Sequence, residues 1–488
     1  MASLEEVRAT RLEKLERLKK AGIDPYPISC KRDYELKEVI EKFDALAEKG
    51  SLSLVGRVMS LRPQGGLVFL NFSDGTGTFQ ALLRTGDTDE KLLTLFSETV
   101  DIGDFLGFEG TLMKTKRGEP SILVSSWTML AKSLRPLPEK WHGLQDVDER
   151  FRHRYLDLLM NEGVRGRFLV RSRIISEVRR FYDSHGYIEV ETPMLQPIAG
   201  GATARPFVTH HNTLDTDFYL TIAQELYLKQ LLVGGVDKVY EIGRKFRNEG
   251  IDVTHNPEFT MLESNESYAD ANSQMEFIET LMRSVAKALT ATSEVTYGAD
   301  IIDFTKPFPR LKFYDLIKEH GGVDDPANAS REELEERAKE LGITFPPTEG
   351  DYKLLDSIYK RTVRPKLIQP TFIVDYPVAF NPFAKRKPED SKLIDRFQLV
   401  AGGIELVNAF SELNNPLDQK ERYEEQDRLK KKGEGDISPS DKNYLEAMEY
   451  GMPPNGGIGI GIDRLAMLFT DSKNIREVIL FPTLRPKE

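Results

Sequence analysis

Leu4, Val7, Leu12, Leu15 and Leu18 fall on one broad face at a period near 3.6, which predicts a helix over Ser3–Ala21. Gly22, Pro25 and Pro27 end it. A second helix is expected over about Glu35–Lys49, stopping at Gly50. From Ser51 the period switches to two. In VFLNF, Val68, Leu70 and Phe72 face one way and Phe69 the other. Phe79, Ala81 and Leu83 likewise oppose Gln80. Asp74–Gly77 (DGTG) supplies a hairpin turn between these two runs. DFLGFEGTLM and SILVSSWTML, joined across KTKRGEP, read as a further pair of strands.

Several short strands within residues 51–135 predict a small closed barrel of the OB-fold kind, preceded by a helical segment over residues 1–50. Residues 136–150 carry prolines and mixed charge and read as a linker. The remainder, residues 151–488, opens on a helix at about Gly166–His185 with Phe168, Ile174, Ile175, Val178 and Phe181 on its apolar face. Beyond it strands and helices mix without β-α alternation, an α+β signature rather than a doubly wound sheet. A helical surface insertion is expected at about 320–365, where Ser330 is placed to cap the helix SREELEERAKEL.

Composition narrows the classes. The chain has 488 residues, a net charge of −11 and a single cysteine, Cys30, which excludes a disulfide framework and a cysteine-rich zinc site. No apolar run reaches bilayer-spanning length, and the charged N-terminus is unlike a secretory signal. A reducing cytoplasm and no membrane partner are expected. The acidic balance argues against an indiscriminate nucleic-acid binder and allows a local basic patch. The first helix offers Arg8, Arg11, Lys14, Arg17, Lys19 and Lys20, read either as a solvated face or as a clamp on RNA phosphate.

No GxxxxGK[ST] loop is present, and GGIGIGID does not match GxGxxG, so nucleotide use must rest on another fold. Adjacent His210 and His211 would point to opposite faces of a strand and cannot chelate one metal together. The informative stretch is Phe246–Glu263, FRNEGIDVTHNPEFTMLE, preceded by the strand KVYEIGRKF. Arg247 and Glu249 leave one strand, while Phe259 and Glu263 lie on its antiparallel return. Such a hairpin gathers a guanidinium, a carboxylate, an imidazole and an aromatic ring on one side of a sheet. Those groups can hold phosphate, an adenine amino group and an adenine face.

This stretch resembles motif 2 of class II aminoacyl-tRNA synthetases, in the form of the lysyl-tRNA synthetase family. Gly186–Pro193, GYIEVETP, resembles motif 1, and Gly456–Leu465, GGIGIGIDRL, resembles motif 3, in the same order along the chain. Neither HIGH nor KMSKS, the marks of the other synthetase class, is present. The resemblance covers nearly the whole chain. It implies an OB-fold anticodon-binding domain and a catalytic domain built on an antiparallel sheet flanked by helices. It implies ATP, lysine, Mg2+ and tRNA(Lys) as partners, and a homodimer. For ATP it implies Arg247, Glu249, His255, Asn256, Phe259, Glu405, Gly461 and Arg464, with Arg247, Glu405 and Arg464 at the reacting phosphate.

For the amino acid the resemblance implies Gly201, Glu225, Arg247, Glu263, Asn265, Asn408, Phe410 and Glu412. For the anticodon it implies Arg62, Phe69, Gln80 and Glu119. Two positions depart from the family pattern. Asn265 stands where a tyrosine is usual, and Gln398 stands where a glutamate would share magnesium with Glu405. The resemblance leaves three other readings open: a different amino acid, a non-tRNA acceptor, and a non-catalytic RNA-binding protein.

Overall fold

A computed structural model describes residues 3–138, 144–347, 349–431 and 439–487. Residues 139–143 of the expected linker lie outside the described residues. The chain divides into two compact units, Met1–Gln145 and Asp146–Glu488.

In the first unit Ser3 caps the helix Leu4–Lys20, its hydroxyl and the Glu6 carboxylate forming a reciprocal capping box. The expected second helix is two short ones, Leu36–Glu41 and Phe43–Ala47, broken at Lys42. Five strands close a barrel in the order Ser51–Gln64, Leu67–Ser73, Thr78–Arg84, Pro120–Ala131, Phe105–Lys114. Alternation decides which side chains fill it. Val68, Leu70, Phe72, Phe79, Ala81 and Leu83 are buried in its core, while Phe69 and Gln80 stay half-exposed outside. The turn after the second strand is held by the Asp74 carboxylate, which accepts from the amides of Thr76 and Gly77.

The first helix spends much of its charge on its own unit. The Arg11 guanidinium donates to the carbonyls of Ile102, Ser133 and Arg135, and Lys14 pairs with Asp101 at 2.6 Å. Arg17 faces Glu98 at 3.8 Å. Arg11 and Lys14 therefore tie the helix to its own unit, and Arg17 and Glu98 form an exposed pair.

The second unit is built on an eight-stranded sheet. Its order is Arg310–Lys312, Thr371–Pro377, Leu393–Ala401, Ile404–Ser411, Asn455–Gly461, Glu258–Ser267, Lys238–Phe246, Ile188–Glu189. All neighbours are antiparallel except the outermost pair at each edge. Leu262, Val407, Ala409, Ile458 and Ile460 point to one face and join a core with the helices Val164–Ser184, Ala271–Leu289 and Ile462–Phe469. The other face carries the polar residues singled out above.

The region 320–365 holds the helices Arg331–Glu340 and Asp351–Thr362. They are more than a surface insertion. Leu334, Ala338, Leu354, Leu355 and Ile358 are buried in a second hydrophobic core that also includes Ile373 and Phe410 of the sheet. His210 and His211 lie exposed on the short strand Val208–His211, and His210 is paired with Asp217. Among the described residues no helix is long and apolar enough to cross a membrane.

Candidate active site

Sheet register brings the distant segments together. Glu263 lies opposite Gly459, Gly459 opposite Asn408, and Asn408 opposite Gln398. The next row runs Asn265, Gly457, Phe410, Arg396. Residues directly opposite in a ladder share a face, so each row lays its side chains across one floor. The strand Asn455–Gly461 alternates apolar residues into the core with Gly457, Gly459 and Gly461 on this floor. A Cβ at Gly457 would overlap Glu412 Oε1 and lie 3.0 Å from Asn265 Nδ2; one at Gly459 would lie 3.0 Å from Met261 Cε. The missing side chains are the space of the site.

Two cavities of about 210 Å³ each open on this floor. One is lined by Gly201, Glu225, Glu263, Asn265, Phe410 and Glu412. The other is lined by Glu249, His255, Asn256, Phe259, Glu405, Gly461 and Arg464. Arg247, Met261, Asn408 and Gly459 line both, so the cavities meet at Arg247.

Arg247 is poised for an anion. Its Nη2 reaches the Ile222 carbonyl at 3.4 Å, while Nε is buried without a partner. Its guanidinium carbon lies 5.1 Å from the Phe259 ring centroid. Burial above all, and Arg464 beside it, lower its pKa, against Glu249, Glu263 and Glu405, which favour the charged form. A guanidinium remains protonated under such pressure, and an incoming anion relieves it.

In the second cavity Arg464 Nη2 lies 3.2 Å from His255 Nε2. A guanidinium only donates, so Nε2 accepts and Nδ1 carries the proton toward Asp252, 2.8 Å away. Glu405 lies three residues before Asn408, where strict alternation would turn it to the other face. A register shift between Leu399 and Val400, against Val407 and Glu405 on the partner strand, brings it round to the same cavity. Burial pushes the Glu405 carboxyl up, but Arg464, Lys360, Arg396 and Arg364 outweigh it and hold its pKa below the ordinary value. Asp463 fixes the frame, accepting from the Thr260 amide at 2.7 Å and from Arg171 at 2.7 Å.

The first cavity holds three carboxylates. Glu263 accepts from the Gln224 amide at 2.6 Å. Glu412 accepts from Asn265 Nδ2 at 3.1 Å. Asn265 also donates to Asn455 Oδ1 at 3.2 Å. Asn265 thus orients Glu412.

Gln398 is not on the wall of either cavity: its Oε1 accepts from the Tyr376 hydroxyl at 2.7 Å. Among the described residues no group of three His, Cys, Asp or Glu could hold a metal ion. The Gln398 Oε1 that accepts from Tyr376 keeps a second lone pair, so its expected pairing with Glu405 at magnesium stays an expectation.

Sequence reading missed four residues here. Lys229 lies behind Glu412 and Glu225, and its spacing of four from Glu225 on one helix was the available signal. Gly457 and Gly459 were legible as a period of two in GGIGIGID. Nothing local marked Arg396, which donates to Asn408 Oδ1 at 2.8 Å above the Tyr376 ring.

On the barrel, Arg62, Phe69, Gln80 and Glu119 line one groove of about 820 Å³ together with Arg84, Lys116 and Arg117. Arg62 sits opposite Phe69 in the ladder. Gln80 Oε1 accepts from Ser121 at 2.8 Å.

An antiparallel sheet carrying these three motifs, in a chain that also holds an OB barrel with a basic groove, defines a class II aminoacyl-tRNA synthetase. The comparisons agree: residues 146–485 match the family of class II tRNA synthetases for D, K and N, and residues 52–130 match the OB-fold nucleic acid binding domain. The chain is 49% identical over 483 residues to a lysine–tRNA ligase of Moorella thermoacetica, covering 99% of this chain and 98% of that one. It is 48% identical to a lysine–tRNA ligase of Carboxydothermus hydrogenoformans, covering 99% of both chains. A lysine–tRNA ligase of Dehalococcoides mccartyi is 47% identical over 490 residues, 99% of this chain and 98% of that one. The chain belongs to the lysine–tRNA ligase family of class II synthetases.

Proposed function

We propose that the chain activates lysine with ATP and transfers it to tRNA(Lys), and that Arg247 stands at the reacting centre. The observation that carries this is the position of Arg247 where the two cavities meet, with a buried Nε lacking a partner. In the first step a carboxylate oxygen of lysine attacks the α-phosphorus of ATP. The bond from that phosphorus to the bridging oxygen breaks, and pyrophosphate leaves with the electron pair. The carboxylate is already ionised, so positioning and charge neutralisation supply the catalysis. Arg247 spans carboxylate and α-phosphate in fork geometry. Phe259 stacks on adenine, Glu249 accepts from its amino group, and Arg464, oriented by His255, holds the phosphate tail. Asn256 and Gly461 complete the nucleotide wall.

In the amino-acid cavity Glu225 and the backbone at Gly201 take the α-ammonium. Glu412 takes the side-chain ammonium, with Glu263, Asn265, Asn408 and Phe410 around it. In the second step a terminal ribose hydroxyl of the tRNA attacks the activated carbonyl and loses its proton, and AMP leaves.

Glu405 fits a magnesium ion: it is a hard oxygen donor kept ionised by its neighbours, in the cavity assigned to the phosphates. When bound there the ion would neutralise phosphate charge. Glu405 would supply the charged donor of that site, and Gln398, whose Oε1 accepts from Tyr376 and keeps a second lone pair, a neutral oxygen. We further propose a homodimer in the cytoplasm. The sheet ends in the two-residue strand Ile188–Glu189, and Ile188, Met194 and Leu195 around it are exposed. Such an edge calls for a cover.

Amino-acid-dependent ATP–pyrophosphate exchange tests the substrate. Strong exchange with lysine is expected, and exchange with another amino acid but none with lysine would overturn the assignment. Asn265 favours one second reading, altered specificity, which the same assay decides. Arg247→Ala is expected to lower exchange by roughly 100-fold or more. Unchanged exchange would remove Arg247 from the chemistry.

A further inference from the structure

The helix Glu225–Val233 carries Lys229 into a place the reaction above does not use. Its side chain is wholly buried, with 0% exposure, and does not line the amino-acid cavity. Its ammonium lies 2.5 Å from Glu225 Oε1 and is also paired with Glu412 Oε2. The rings of Phe383, Phe410 and Tyr444 surround it at 5.2–5.8 Å. One buried cation thus serves both carboxylates assigned to the two ammonium groups of the substrate. Each keeps an oxygen outside this contact.

A buried charge is tolerated only when paired. With both carboxyls ionised, Glu225 and Glu412 against the one ammonium of Lys229 leave this trio with a single net negative charge, and a substrate carrying one further side-chain ammonium balances it. A neutral side chain does not. We propose that Lys229 is a positioning residue that sets the charge of this cavity: by bridging Glu225 and Glu412 it fixes both carboxylates and leaves room for one more ammonium, so that a cationic side chain is selected over its neutral isostere. The inference rests on the lysine reading and adds to it a residue that acts through Glu412 without touching substrate.

The surroundings give it a pH signature. Glu412 is faced by Lys229 and Glu225 from one helix, Tyr444 from the helix Lys442–Glu449, and Asn265 from the sheet, with Glu263 acting on Glu225 and Tyr423 facing Lys229. Burial first, then Glu225, raises the Glu412 carboxyl, and Lys229 opposes both. Burial alone would lower Lys229, yet Glu225 and Glu412 raise it well above its ordinary value, so the ammonium stays charged. A raised carboxyl is protonated at low pH and cannot receive an ammonium. Lysine affinity therefore improves as pH rises, until the substrate's own ε-ammonium, at about 10.4, deprotonates.

The test is ATP–pyrophosphate exchange by the full chain over about pH 6 to pH 9, with lysine and with norleucine, in the unchanged protein, Lys229→Met and Lys229→Gln. In the unchanged protein the KM for lysine is expected to fall with rising pH. Both variants are expected to raise the KM for lysine at least about ten-fold near neutral pH. They should move its pH dependence to higher pH and narrow the preference for lysine over norleucine, with the KM for ATP within about two-fold. A lysine KM that rises equally at every pH means that Lys229 only fills space, and overturns the proposal. So does an unaltered KM, or an unchanged preference over norleucine. If neither variant folds, a lysine KM independent of pH in the unchanged protein overturns it alone. Absence of lysine-dependent exchange in the unchanged protein instead refutes the functional reading on which it rests.

Discussion

At the scale of single residues the site depends on what is missing as much as on what is present. Gly457 is the sharpest case, because a Cβ there would overlap the carboxylate of Glu412 and press on Asn265. Gly457→Ala is expected to raise the KM for lysine roughly 10- to 100-fold through loss of a charged hydrogen bond, with the KM for ATP little changed. Gly459→Ala meets the flexible end of Met261 and, at an ordinary contact distance of 3.5 Å, the Asn408 carbonyl, and should cost no more than about three-fold on either substrate. Equal effects of the two changes in steady-state exchange would remove this distinction. Both glycines were visible in the sequence as every second residue of GGIGIGID. Their purpose was not, since it depends on Glu412 and Asn265 reaching the same floor from other strands. Lys229 was hidden for a similar reason. A glutamate and a lysine four apart read as an ordinary surface pair until Glu412 arrives from far along the chain.

At the scale of elements, the hairpin from Lys238 to Ser267 was legible because its strands are rich in β-branched and aromatic residues and its loop is polar. What the pattern could not give is how that hairpin is locked to the helix Ile462–Phe469. Asp463 performs this, receiving the Thr260 amide and the Arg171 guanidinium while itself 2% exposed. Asp463→Ala would leave Arg171 without its ion partner, with only the Thr260 hydroxyl at 3.0 Å, and free the start of the helix that carries Arg464. Removing one partner of a buried pair costs about 3–5 kcal/mol, and the partial exposure of Arg171 reduces this to about 2 kcal/mol. Denaturant unfolding of the variant should show that loss together with a raised KM for ATP. Stability lost without any change in ATP binding would mean that the lock is independent of the nucleotide cavity. The register shift that turns Glu405 toward the same cavity was equally illegible, because alternation counted along ELVNAF places Glu405 and Asn408 on opposite faces.

At the scale of the whole molecule, a chain of net charge −11 carries a groove with Arg62, Arg84, Lys116 and Arg117 against one carboxylate, Glu119. Overall charge weakens non-specific attraction to RNA, and the groove restores it at one place, where Phe69 offers a half-exposed ring. The outward position of Phe69 followed from alternation alone; its gathering with Arg117 and Glu119 from the turn between the last two strands did not. Both cavities lie in the unit Asp146–Glu488, and the basic groove lies in the barrel of Met1–Gln145. The two activities should therefore separate. Phe69→Ala removes a stacking surface worth about 1–3 kcal/mol per base, and should lower kcat/KM for tRNA in charging roughly 5- to 150-fold. Lysine-dependent pyrophosphate exchange should stay as it was. Arg62→Ala should also weaken tRNA binding and reduce the slope of log affinity against log salt by about one if Arg62 contacts a phosphate, and leave that slope unchanged if it contacts a base. A fall in exchange alongside charging in either variant would show that the barrel supports the catalytic unit itself, and the division of labour between the two units would have to be abandoned.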